Sequence, residues 1–286
     1  MVDNRYAVLD FETRCNLPLA RQVLRLGHDA PAGEVVSRLA ERRRSENHGN
    51  PEFFKLPFHE PVAAAILLVE PRSSSPAAPL IATEWLSWRA GELPLDQLVD
   101  RVFGALAGRV YVGFNSKAFD LPLLELWASG CRVMAPAHFR VPGEPALLPP
   151  SADPRDCCAS QHCDLQKELA NGAPGSGTFD ELCKFHGLPG KPGISGADVE
   201  ALALAGRLDE IHAYNITDVL QTFLLFLHVL IRAGRLSRGA AAESAATAIA
   251  LTRTVVLARL EGGGAAHTLL AESLDGCAAA PIAQSV

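Results

Sequence analysis

Three things are scarce in this sequence: excess positive charge, patterned cysteines and long apolar runs. With 26 Lys and Arg against 32 Asp and Glu, the formal charge is −6. That balance argues against a protein that grips a polyanion through a broad basic face. Any contact with phosphate then has to be local, and bound cations are the natural means. The seven cysteines are odd in number and lack the spacing of a disulfide framework. Residues 1–6 lack the basic region and apolar stretch of a secretion signal, so a reducing cytoplasm is the expected location. The longest apolar run, residues 222–231, is interrupted by His228 and is about half of the roughly 20 residues that span a bilayer. A buried core helix is expected there.

What is present is apolar content, 48% of 286 residues, enough for a sizeable core. One domain is expected over residues 1–235, followed by an Ala- and Gly-rich tail over 236–286 with one helical stretch at 241–260. Residues 5–11 (RYAVLDF) are short, apolar before the first acid and rich in strand formers, which predicts a buried strand ending at Asp10 to Glu12. Residues 61–69 and 80–85, joined by a Pro- and Ser-rich turn, predict an antiparallel hairpin. Leu95, Leu98, Val99, Val102, Phe103 and Leu106 share one helical face. Another strand at 109–114 leads through Asn115 into a helix over about 118–129, and 163–165 is a last short strand. Further helices are expected at 179–186, 196–205 and 208 to about 233. Residues 16–51, with the run Arg42, Arg43, Arg44 and a helix at 33–44, form an excursion from the core, and 141–161 a Pro-, Ser- and Asp-rich loop. This order predicts an α/β fold: a mixed sheet, antiparallel hairpin plus parallel strands, flanked by helices.

Three groups of residues carry the chemistry. Asp10 and Glu12, two apart on a strand, point to one face while Phe11 points to the other. Two acids so placed repel each other unless a cation lies between them. Asp120 opens a helix, where an acid also serves simply to complement the helix dipole. Tyr214 and Asp218, four apart in a helical segment, share a face, a spacing common on surface helices. The combination Asp-x-Glu, Asn-x-x-x-Phe-Asp and Tyr-x-x-x-Asp is far more specific than any part of it.

The segments VLDFET (8–13), GFNSKAFD (113–120) and YNITD (214–218) resemble, in sequence and in order, the three exonuclease motifs of the DEDD superfamily. Through Pro57-Phe58-His59, Asp164-Leu165 and Gly187-Leu188-Pro189-Gly190-Lys191, the chain is more closely similar to stand-alone exonucleases related to the proofreading domain of family B DNA polymerases. The similarity covers residues 5–233. It implies a ribonuclease H-like fold and two divalent ions, magnesium or manganese, held by Asp10, Glu12, Asp120 and Asp218. Two such ions, roughly 4 Å apart, promote in-line attack of water on a phosphodiester and stabilise the leaving 3′ oxygen, and hard carboxylate ligands suit both metals. The superfamily divides by its proton-handling residue. Here Ala213 stands at the histidine position of one class and Tyr214 fits the tyrosine (DEDDy) class. A phenol with a pKa near 10 is a poor base at neutral pH, so Tyr214 is expected to position the attacking water. The implied substrate is nucleic acid with a free 3′ end, single-stranded DNA favoured and RNA open. Phe11, Asn115 and Phe119 are candidate contacts to it, against core packing for the rings and helix capping for Asn115.

Other signals weigh less. Cys157, Cys158, His162 and Cys163 lack zinc-finger spacing and are expected to be free thiols in a loop. Residues 187–196 (GLPGKPGISG) lack the phosphate-loop pattern and predict a connection between helices, with Lys191 as a backbone contact. His212 is one residue out of register for the histidine class, and 286 residues leave no room for a polymerase region. The competing function is an inactive ribonuclease H-like module that binds nucleic acid or a protein partner. The intact acids and Tyr214 argue against that.

Overall fold

The computed structural model describes residues 5–46, 54–73, 75, 78–135, 162–170, 173, 175, 177–191, 193–260 and 264–284. The expected 141–161 loop, with Cys157 and Cys158, lies outside the described residues.

The first strand, β1 (Tyr6–Cys15), is central. On one side it pairs antiparallel with β2 (His59–Pro71), which pairs antiparallel with β3 (Leu80–Arg89). On the other it pairs parallel with β4 (Val110–Gly113), which pairs parallel with β5 (His162–Asp164). The sheet order is β3-β2-β1-β4-β5, the mixed α/β sheet expected and a ribonuclease H-like arrangement. Both hairpin strands run longer than the sequence suggests, because β2 is buried over eight consecutive residues, Val62 to Val69. A strand covered on both faces shows no alternation to mark its ends.

Each face of the sheet has its own core. Ala7, Leu9 and Phe11 pack with Ile66 against α3 (Leu95–Leu106) and α4 (Asp120–Cys131), through Val102, Phe103, Leu124 and Trp127. Val8, Leu67 and Val112 pack on the opposite face against α8 (Leu208–Arg232), through Ile216, Val219, Phe223 and Phe226. By length and composition α8 could cross a membrane, but 89% of its apolar window is buried inside the protein. It is the core helix expected.

Three stretches differ from expectation. The 16–51 excursion holds two helices, α1 (Leu17–Leu24) and α2 (Ala32–Glu46), closed over a small core of Cys15, Ala20, Val35 and Leu39. α4 begins at Asp120 rather than Ala118, because 115–119 form a turn in which Asn115 takes a left-handed φ of 54°. The stretch after residue 235, expected as a tail with one helix, carries α9 (Arg238–Leu251) and α10 (Ala265–Ala279). Both pack into the α8 core, α10 through Leu270, Leu274 and Cys277. Alanines and other small residues lie on both of its faces, so the contrast between its exposed Glu272 and Asp275 and its buried leucines is weak in the sequence. Short helices at α5 (Leu165–Ala170), α6 (Phe179–Phe185) and α7 (Val199–Leu204) complete the described α-helices.

Candidate active site

Alternation along β1 aims Asp10 and Glu12 at the α8 face, and α8 brings Tyr214 and Asp218 over them. Asp10, Glu12 and Asp218 each present a carboxylate oxygen, the three within 4.8 Å of one another. Opposite Asp10 and Glu12 on β2 stand Ala65 and Ala63, small side chains that leave this face of the sheet to the acids. The strand register shifts directly after Glu12, which ends the regular alternation where the acids end. Asp120 joins from α4: its Oδ1 accepts a hydrogen bond from the Phe11 backbone N–H at 3.3 Å.

The buried amide of Asn215 holds Asp10 from behind, donating to the Asp10 carboxylate at 2.8 Å and to its backbone carbonyl at 3.2 Å. Replacing Asn215 by Leu keeps the volume and removes the donor. Manganese affinity should then fall by about 10- to 100-fold, as when an outer partner of a metal ligand is lost. Calorimetric titration measures it, and an unchanged affinity would mean that the sheet alone fixes Asp10.

The electrostatics of the group are unfavourable to free carboxylates. Burial raises Asp10 and Glu12 well above the carboxylate range, and repulsion from the neighbouring acids raises both further. Burial also lifts Asp120 to about 7 and raises Asp218, the latter partly offset by the Lys191 ammonium. Four desolvated acids require protons or cations. Oδ1 of Asp218 is buried with no hydrogen-bond partner. An all-oxygen set with an unused buried acceptor fits a hard divalent cation.

Lys191, expected only as a backbone contact, reaches into the site. Its ammonium donates to the Tyr214 hydroxyl and to Oδ2 of Asp218 at 3.4 Å, and lies 4.9 Å from the Tyr214 ring centre. Burial and the surrounding acids push the Tyr214 phenol far above its ordinary range.

Residues 51–261 match a family described as predicted 3′-5′ exonucleases related to the exonuclease domain of PolB. The chain belongs to that family. No curated protein and no solved structure matches the chain. The matched stretch of this exonuclease-family chain contains Asp120, Tyr214 and Asp218 and begins after Asp10 and Glu12. The fold therefore brings into one cluster two acids from outside the match and one, Asp218, from inside it.

Of the three expected substrate contacts, Phe11 is a correction. Its ring is 4% exposed and packs edge-on to Trp127 at 5.2 Å in the core behind the sheet, so only its backbone N–H serves the site. Phe119 is half-buried, edge-on to His59. Asn115 is exposed, and α4 has no side-chain cap, so Asn115 does not spend its amide on capping. Asp164, outside the expected set of site residues, lies beside Asp120. It is fully buried, accepts from the backbone N–H groups of Lys117 and Gln166 at 3.1 and 3.2 Å, and adds to the repulsion on Asp120. It thereby ties the turn bearing Asn115 to β5. Its signal was the Asp-Leu pair. His162 bonds to Ser116 Oγ at 2.8 Å and stacks on Tyr111, while Cys163 is in the core; both serve the fold.

Proposed function

We propose that this chain is a metal-dependent 3′-5′ exonuclease of the tyrosine class that removes nucleotides from single-stranded nucleic acid. The observation that carries this reading is the convergence of Asp10, Glu12 and Asp218 within 4.8 Å, in a chain of a predicted exonuclease family. The family's relation to PolB, a polymerase exonuclease, favours DNA. Asp10, Glu12, Asp120 and Asp218 would hold magnesium or manganese. When bound, those ions supply Lewis-acid charge stabilisation at the phosphodiester and a nucleophile at neutral pH.

The protein's own groups account for the rest. Burial, the largest cause of its upward shift, opposes the Tyr214 phenolate, so the phenol keeps its proton near neutral pH. It therefore orients a water by hydrogen bonding and does not act as its base. The Lys191 ammonium places a fixed positive charge beside Asp218, where it can meet a phosphate oxygen as readily as a carboxylate. Asn115, exposed on the turn before Asp120, would contact the strand.

Purified protein incubated with 5′-labelled single-stranded DNA or RNA should give a descending ladder with magnesium or manganese and none with chelator. The Glu12→Gln variant should give none with either metal. Absence of any metal-dependent ladder from the unaltered protein would overturn the reading in favour of a binding module.

A further inference from the structure

The family match ends at residue 261, yet the chain beyond it is built against the loop that delivers Lys191. We propose that α10 and the turn after it position Lys191, making residues 264–284 a working part of the site. This rests on the exonuclease reading above.

The contact is reciprocal. Gly276 of α10 passes Pro189 so closely that a Cβ on Gly276 would lie 2.8 and 3.0 Å from two carbons of the Pro189 ring. In the other direction, Gly187 in the loop has φ of 77°, and a Cβ there would lie 2.9 Å from the Pro281 ring. Proline rings have no rotamer by which to swing clear, so each glycine is required by the proline facing it. α10 is itself fixed by Leu270, Leu274 and Cys277 in the core that also holds Phe223 and Phe226 of α8.

The remaining sides of the loop are tied to the body of the site. Gln221, one turn beyond Asp218 on α8, exchanges two hydrogen bonds with Gly190, at 2.7 and 2.8 Å. The Lys191 backbone N–H donates to Asp180 at 2.8 Å. With its backbone pinned between α8, α6 and α10, Lys191 has only its side chain to place, and that side chain ends on Tyr214 and Asp218. A shift in Pro189 would reach Lys191, two residues on, against the hold of Gln221 on Gly190 and of Asp180 on the Lys191 N–H. Misplacement of about 1 Å near reacting groups costs up to roughly 100-fold in rate.

A double-mutant cycle separates positioning from plain stability. Gly276→Ala, Lys191→Met and the double variant are compared for manganese affinity by calorimetry and for kcat on single-stranded DNA. Gly239→Ala in α9, where a Cβ meets nothing within 4 Å, is the control. Lys191→Met should tighten manganese binding severalfold by removing a competing cation, while lowering kcat. Gly276→Ala should shift both quantities the same way, with kcat down about tenfold, and should change neither by more than about twofold in the Lys191→Met background. Equal effects of Gly276→Ala in both backgrounds, or none in either, would overturn the proposal. If Gly276→Ala does not fold, Pro281→Ala, which removes the opposing contact, is put through the same cycle with the same expected signs. A wild-type protein that neither binds manganese nor cuts sinks the exonuclease reading itself. One that does both, without coupling between Gly276 and Lys191, sinks only this inference.

Discussion

Asp218→Ala should lower the rate of 3′-terminal nucleotide release by at least about 1,000-fold, corresponding to roughly 4 kcal/mol of lost transition-state stabilisation. Two separate jobs end with this one carboxylate. It supplies one of the three oxygens clustered within 4.8 Å, and it receives the Lys191 ammonium that also holds Tyr214. Its removal leaves Lys191 beside Asp10 and Glu12 without the carboxylate it pairs with, which favours an ammonium lying across the acids in place of a metal. The loss should therefore appear in kcat and persist at saturating DNA. Single-turnover kinetics with labelled DNA read this directly. Activity within tenfold of wild type would remove Asp218 from the chemistry.

Metal removal should destabilise the protein in a pH-dependent way, with Asp120 as a main cause. Its folded-state pKa is raised to about 7 by burial, against an unfolded value near 4. The folded protein thus holds a proton that the unfolded chain has released. Stability present at low pH is lost as pH rises from about 4 towards 7. Asp10, Glu12 and Asp218 are shifted in the same direction. The metal-free protein should accordingly be less stable at pH 8 than at pH 5.5 by on the order of a few kcal/mol, and melt correspondingly lower. Manganese should restore the difference at pH 8, since about 2.7 kcal/mol follows from a hundredfold excess over its dissociation constant. Asp120→Asn removes one titrating group and should flatten the melting temperature against pH in chelator. A wild-type melting temperature equal at the two pH values, or an unaltered slope in Asp120→Asn, would contradict the assignment.

Sequence alone went far because the acids lie on regular elements. The period of two puts Asp10 and Glu12 on one face of a strand, and the period near four puts Tyr214 and Asp218 on one face of a helix. The apolar strands and the α3 stripe were equally legible, since burial on one face or on two imposes its own pattern. What could not be read was anything set by contact between distant segments. Phe11 looks like a base-stacking ring beside two acids, and only the packing of Trp127 behind the sheet makes it core. Lys191 looks like a loop lysine until Asp180 takes its backbone N–H, Gln221 holds Gly190 before it and Gly276 meets Pro189. Asn215 looks like a helix filler until α8 lies across β1. α10 was hidden because its short apolar stripe, Leu269, Leu270 and Leu274, stands among small residues on both faces, which weakens the contrast between them.

By itself, the sequence determined which residues bear charge, which faces they share and that hard cations suit them, because these depend only on residue type and local periodicity. The tertiary structure decided how those faces meet: the 4.8 Å cluster of Asp10, Glu12 and Asp218, the ammonium placed among them and the C-terminal helix behind it. Distances between residues far apart in the chain are set by how whole elements pack, and that packing is a property of the complete core.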